Sequence, residues 1–192
     1  MLRLTQEGVS ARSSLLRPVA RGLVLIFTGD GKGKTSAAIG TVVRAAGHGL
    51  RVFIVFFMKG RDYVHGEEKI LPKLPNVTMA SFGQRGWVSK DKVTPEQKEQ
   101  AGLALASARE AMLSDSYDLV VLDEVNVAAA SKLVELDELL KLIKDKPQNV
   151  ELILTGRHAD PKLVQGADLV TEMLMIKHPY AKGIKARKGM DY

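Results

Sequence analysis

Thr28-Gly29-Asp30-Gly31-Lys32-Gly33-Lys34-Thr35-Ser36 decides how the rest of this chain is read. An apolar run, Leu23 to Phe27, leads into it, and a segment of helical periodicity follows. Strand, glycine-rich turn and helix in that order are what a phosphate-binding loop requires. Glycines on alternate positions let the backbone turn tightly and aim successive N–H groups into a concave nest. The start of the following helix adds partial positive charge for a polyphosphate. In such a loop Lys34 reaches the terminal phosphates and the Thr35 hydroxyl faces Mg²⁺. One position departs from the usual spacing: Thr28 stands where the first glycine is common. The competing reading is a flexible glycine turn with solvated lysines, and it explains neither flank.

Downstream, Ala37, Ala38, Val42 and Ala45 recur at helical spacing until Gly47-His48-Gly49 stops the helix. Arg51 to Phe57 reads as a buried strand, and Met58-Lys59-Gly60 opens a polar loop reaching Gly66. A third strand follows over Val77 to Phe82. Thr94-Pro95-Glu96-Gln97 combines a cap, an N1 proline and a capping-box glutamine, so a helix starts there and runs to about Leu113.

Asp118 to Glu124 is the second informative stretch: four apolar residues, then Asp123 and Glu124. It reads as a Walker B strand, buried on both faces, whose terminal acid lies beside the loop where Mg²⁺ sits. The periodicity predicts one helix over Val127 to Lys146 and a strand over Val150 to Leu154. A short helix after Asp160-Pro161 and a last strand, Asp168 to Met175, precede a basic tail. Strands alternating with helices predict an α/β fold of the P-loop NTPase-like kind. Its mostly parallel sheet is covered by helices on both faces, with ligands at the carboxyl ends of the strands.

A length of 192 residues suits a single domain over residues 23–192, preceded by an arm, residues 1–22, with Arg3, Arg12, Arg17 and Arg21 against Glu7. A transit peptide, a mobile tail and a basic lid that orders over a ligand all fit that arm. No apolar run approaches a bilayer span, so no membrane role is expected. The absence of cysteine excludes a disulfide framework and a thiolate metal site and leaves the cytoplasm as the default location. A net charge of +6 calls for an anionic partner, and a nucleotide satisfies it as well as nucleic acid does. Aromatics at 5% argue against a stacking, nucleic-acid-binding surface. The four histidines lie far apart with no metal-ligand spacing, and there is no nucleophile elbow. Residue chemistry alone therefore ends at an enzyme that uses Mg²⁺ and a nucleoside triphosphate, a hydrolase or kinase among the options.

Several further stretches carry a resemblance. They are Phe27 to Thr35, Arg44-Ala45-Ala46-Gly47-His48-Gly49, Phe57-Met58-Lys59-Gly60, Val121 to Asn126, Thr155-Gly156-Arg157, Asp168 to Met173, Ile176 to Tyr180, and Gly183 to Gly189. With them the chain resembles the corrinoid adenosyltransferases of the P-loop type (ATP:cob(I)alamin or cob(I)yrinic acid a,c-diamide adenosyltransferases) from about residue 22 to Tyr192. That family's loop accepts threonine at the first glycine position. The resemblance implies transfer of the 5′-deoxyadenosyl group of ATP to the Co(I) of a reduced corrinoid, with triphosphate leaving. Co(I) is itself the nucleophile, so no general base is required. It implies that the loop amides of Thr28 to Ser36, with Lys34, Arg44 and Arg157, hold the departing triphosphate. Thr35 and Glu124 are implied as contacts of Mg²⁺ or Mn²⁺, with Asp123 as the alternative carboxylate. Trp87 matches one of two aromatics that pack by the corrin, whereas the second falls at Ser89, a departure. A reductant or flavoprotein supplying Co(I) and a homodimer are expected on the same basis.

Overall fold

The computed structural model describes residues 21–60, 65–84 and 93–191. Six parallel strands form one sheet: β1 (Val24–Thr28), β2 (Val52–Phe56), β3 (Val77–Ser81), β4 (Leu119–Asp123), β5 (Glu151–Thr155) and β6 (Leu169–Glu172). They lie in the order β3-β2-β4-β5-β1-β6. The expected α/β architecture is present. β2 and β4 are continuous apolar runs because helices cover the sheet on both sides.

Alternate side chains go to opposite faces. Val52, Ile54, Phe56, Leu119 and Val121 join Ala38, Val42 and Ala45 of helix α1 (Lys34–Gly47) in one core cluster. Phe53, Val55, Val120 and Leu122 join Ala104, Ala108 and Met112 of a long helix, Pro95–Leu113, in the other. That helix begins as its sequence dictates. Thr94 Oγ1 accepts from Gln97 N–H at 3.2 Å and the Gln97 side chain returns the bond to Thr94 N–H at 3.0 Å.

Three expectations change. An unexpected short helix, α2 (Gly66–Ile70), begins where the polar loop after β2 ends, so the long helix is α3. The single helix expected over residues 127–146 is two, α4 (Val125–Ala130) and α5 (Leu136–Lys144). Lys132 at φ 57° turns the chain so that Leu133 and Val134 enter the core, and both their amides bond to Ala128 O. Tertiary burial breaks this helix where no glycine or proline announces it. The last strand, β6, ends at Glu172, three residues early, and is exposed along its length as the sheet edge. Between β5 and β6 lies α6 (Pro161–Gly166), started as expected by Asp160, whose carboxylate accepts from Lys162 N–H. Among the described residues no helix is long and apolar enough to cross a membrane.

Candidate active site

β1, β4 and β5 end side by side, and the loop from Gly29 to Gly33 rises from the first of them. Gly29 and Gly33 adopt φ of 93° and 122°, which favour glycine, so the alternating pattern is a backbone requirement at these two positions. Gly33 is the helix cap, with no side-chain cap and no acid in the first turn of α1. The amides at that end therefore remain available to an anion.

The loop is clasped from behind by the end of β6. Met173 N–H donates to Thr28 O at 2.9 Å, and Gly31 N–H donates to Met173 O at 2.6 Å. A Cβ on Gly31 would stand 2.7 Å from the carbonyl oxygens of Met173 and Leu174. Thr28 has a structural use of its own: its hydroxyl accepts from Ala159 N–H at 3.3 Å, a tie to the loop after β5 that glycine cannot make.

Lys34 is buried, 7% exposed, and curls over the loop, donating to Gly29 O at 2.8 Å and Gly31 O at 2.6 Å. Burial lowers its pKa. Glu124 opposes that shift, Arg157 reinforces it, and Asp30 and Asp123 oppose it more weakly. These four groups, arriving from three loops, thus lie within electrostatic reach of one ammonium.

Asp123 and Glu124 are both fixed through Thr155, the last residue of β5. Its hydroxyl donates to Asp123 Oδ1 at 2.7 Å and accepts from Glu124 N–H at 2.9 Å. Glu124 is left-handed at φ 64°, which swings the chain from β4 into α4. Burial, reinforced by Asp123, holds its carboxyl above the usual range, with Lys34, Lys59 and Arg157 pulling the other way. Behind them Asn126 donates through Nδ2 to Gly156 O at 3.3 Å, and Gly156 at φ 127° lets that turn pass within van der Waals range of Val127.

Lys34, Asp123, Glu124 and Arg157 are therefore brought together, with Thr35 and Ser36 in the first turn of α1. Arg44 is not. It sits exposed in the last turn of α1, ten residues beyond Lys34, roughly 15 Å along the axis at 1.5 Å per residue. Named as a candidate neighbour of the triphosphate, it is carried by the helix away from Lys34. Lys32 keeps its amide in the loop, but its Nζ pairs with Asp191 Oδ1 at 2.6 Å. Asp191 also accepts from Arg187 N–H and Nε, and Lys32 foremost holds its carboxyl well below the usual range. Trp87 and Ser89 lie outside the described residues.

Sequence reasoning gave no role to Lys59, Thr155, Met173 or Asp191. Met173 acts through its backbone and leaves no side-chain signature. Thr155 and Lys59 stood in the stretches Thr155-Gly156-Arg157 and Phe57-Met58-Lys59-Gly60 that carry the resemblance, without a role of their own. Among the described residues no cluster of three metal-ligating side chains occurs.

Residues 20–192 match the family model described as ATP:corrinoid adenosyltransferase BtuR/CobO/CobP. A corrinoid adenosyltransferase of Pseudomonas aeruginosa is 38% identical over 175 residues, covering 90% of this chain and 84% of the relative. One from Escherichia coli K12 is 35% identical over 188 residues, 97% of this chain and 93% of the relative. The corrinoid adenosyltransferase CobA of Salmonella typhimurium is 36% identical over 174 residues, with shares of 90% and 86%. Among solved structures, the flagellar accessory protein FlaH of Methanocaldococcus jannaschii superposes with a TM-score of 0.51 over 80% of this chain and 72% of its own. At 13% identity that likeness concerns the fold alone.

Proposed function

The chain belongs to the ATP:corrinoid adenosyltransferase family, a family of transferases, and from that membership we propose how its site performs the reaction. ATP lies with its triphosphate in the loop Thr28 to Ser36. A corrinoid reduced to Co(I), whether cobalamin, cobinamide or cobyrinic acid diamide, approaches the ribose. The cobalt electron pair attacks C5′, the Co–C bond forms, and the C5′–O bond breaks with its electrons leaving on triphosphate. Cobalt is thereby oxidised from Co(I) to Co(III), and no proton has to be removed.

The protein's work is then to position two reactants and to stabilise a leaving group. The loop amides other than that of Gly31, which Met173 O holds, and the partial charge of α1 grip the phosphates. Lys34, whose ammonium caps the loop carbonyls of Gly29 and Gly31, turns to the phosphate oxygens. Arg157 adds charge from the β5 end. Thr35 and Glu124 are oxygen donors of the kind Mg²⁺ or Mn²⁺ takes, and Asp123 is the alternative carboxylate, buried behind them and held by Thr155 and Lys59. Bound there, the cation neutralises part of the triphosphate charge. Trp87 beside the corrin and an N-terminal lid are expectations that fall on residues outside the described ones, while Gly22, just before the domain of residues 23–192, donates through its N–H to Gln148 O at 2.6 Å. A homodimer in the cytoplasm, served by a reductant or flavoprotein, completes the reading.

The observation that carries this reading is the convergence of Lys34, Glu124, Asp123 and Arg157 on the start of a helix whose amides have no side-chain cap. The test is to supply Mg-ATP and a corrinoid under strong reductant and identify the phosphate product. Triphosphate with an adenosylated corrinoid is expected. ADP released in the absence of corrinoid would indicate a hydrolase or kinase instead.

A further inference from the structure

Two carboxylates in sequence, Asp123 and Glu124, compete for the role of cation contact, and a third residue separates them. Lys59 follows β2 immediately after Met58, whose φ of 57° redirects the chain. Its amide donates to Phe82 O at 3.1 Å, and a Cβ on Gly83 would stand 2.8 Å from its nitrogen, so its backbone is closely held. The side chain is 12% exposed and passes over the Phe56 ring, with Nζ 4.1 Å from the centroid. Nζ reaches Asp123 Oδ2 and Glu67 Oε1, both at 3.2 Å.

Asp123 is 1% exposed and both its oxygens are spoken for within the protein. Oδ1 accepts from the Thr155 hydroxyl at 2.7 Å. Oδ2 has no hydrogen bond, and its one partner among the described residues is the Lys59 ammonium. A carboxylate so buried is tolerated only because a cation faces it. Glu124, half-buried on the loop side, has no ion pair among the described residues.

Resting on the reading that ATP and a divalent cation occupy the loop, we propose that Lys59 is a positioning residue that serves as the permanent counter-ion of Asp123. Asp123 is thereby an anchor and Glu124 is the one carboxylate that touches the cation. Through Glu67 the same ammonium fixes the start of α2 to the end of β4. The sequence distance of Lys59 from Asp123 hides the pair, and their juxtaposition needs the parallel neighbours β2 and β4.

The experiment uses full-length protein with ATP, without corrinoid, and measures Mn²⁺ affinity by electron paramagnetic resonance alongside melting temperature without metal. Glu124→Gln should lose about tenfold or more in Mn²⁺ affinity, while Asp123→Asn stays within about threefold of the parent. Lys59→Met should melt roughly 5–10 °C lower because it strands a buried carboxylate. Its Mn²⁺ affinity should rise by about threefold or more, since the freed Asp123 charge then draws the cation. Adding Asp123→Asn to Lys59→Met should restore most of the melting loss and abolish the rise, and Lys59→Arg should behave as the parent.

Equal losses of Mn²⁺ affinity in Asp123→Asn and Glu124→Gln would overturn the assignment. So would additive melting losses in the double variant, whatever happens to Mn²⁺. A parent protein that binds no Mn²⁺ with ATP would defeat the nucleotide reading itself, and the melting cycle would still decide whether Lys59 pairs with Asp123.

Discussion

Replacing Thr155 by valine removes one oxygen from the centre of the site and almost nothing else. Valine keeps the volume, the β-branch and the strand preference of a residue that is 0% exposed in β5. Two bonds go: the hydroxyl's donation to Asp123 Oδ1 and its acceptance from Glu124 N–H. A buried hydrogen bond to a carboxylate is worth about 2 kcal/mol and one to an amide about 1 kcal/mol, so Thr155→Val should cost about 3 kcal/mol. At roughly 3 °C per kcal/mol for a chain of this size, the melting temperature should fall by about 9 °C. Thr155→Ser is the control, since it keeps the hydroxyl and sheds a methyl group for about 1 kcal/mol. Guanidinium unfolding at pH 7, followed by circular dichroism, gives both values. A valine variant as stable as the serine variant would refute the reasoning, because the oxygen would then be holding nothing. Nucleotide affinity should fall in the same order, since Glu124 keeps its left-handed turn through that bond.

Lys34→Ala should lower turnover by about a thousandfold, the scale of losing a main leaving-group contact, while the fold survives a loss of about 1–2 kcal/mol, and near-normal turnover would contradict its role. Gly31→Ala should separate the loop from Met173 and Leu174, whose oxygens stand 2.7 Å from the added carbon, costing about 1–2 kcal/mol and weakening ATP binding in calorimetry. At the other end of the sheet, the bond from Arg51 holds Asp118 below the usual carboxylate range. A depressed carboxyl contributes stability that is fully present above its unfolded pKa and lost as pH falls through its folded value. Asp118→Asn should therefore lose about 1 kcal/mol at pH 7, and urea midpoints of variant and parent should converge as pH drops below about 3.9.

The loop was legible because it is written in residues that only a phosphate cradle needs, glycines for backbone angle and Lys34-Thr35 for the ligand. The sheet was legible because β2 and β4 are apolar without interruption, a pattern that only two covered faces permit. What escaped depends on where distant segments meet. Arg44 was a candidate phosphate contact only through the resemblance, and an intact helix puts it at the far end from Lys34. The break at Lys132 is driven by burial of Leu133 and Val134, and its local sequence favours helix. The pair Lys59–Asp123 joins residues that the strand order brings near, and Lys32–Asp191 joins the loop to the C-terminal tail.

That strand order has a consequence for how the protein is made. β1, which carries the phosphate loop, is flanked by β5 and β6, the last two strands to be synthesised. The loop's own clasp, Met173 O on Gly31 N–H, comes later still. A nascent chain that has displayed Gly29 to Ser36 since early in translation owns the nucleotide motif but no nucleotide site until residues 151–174 clear the ribosome. A chain truncated before residue 174 is therefore expected to gain no thermal protection from ATP, whereas the whole chain should.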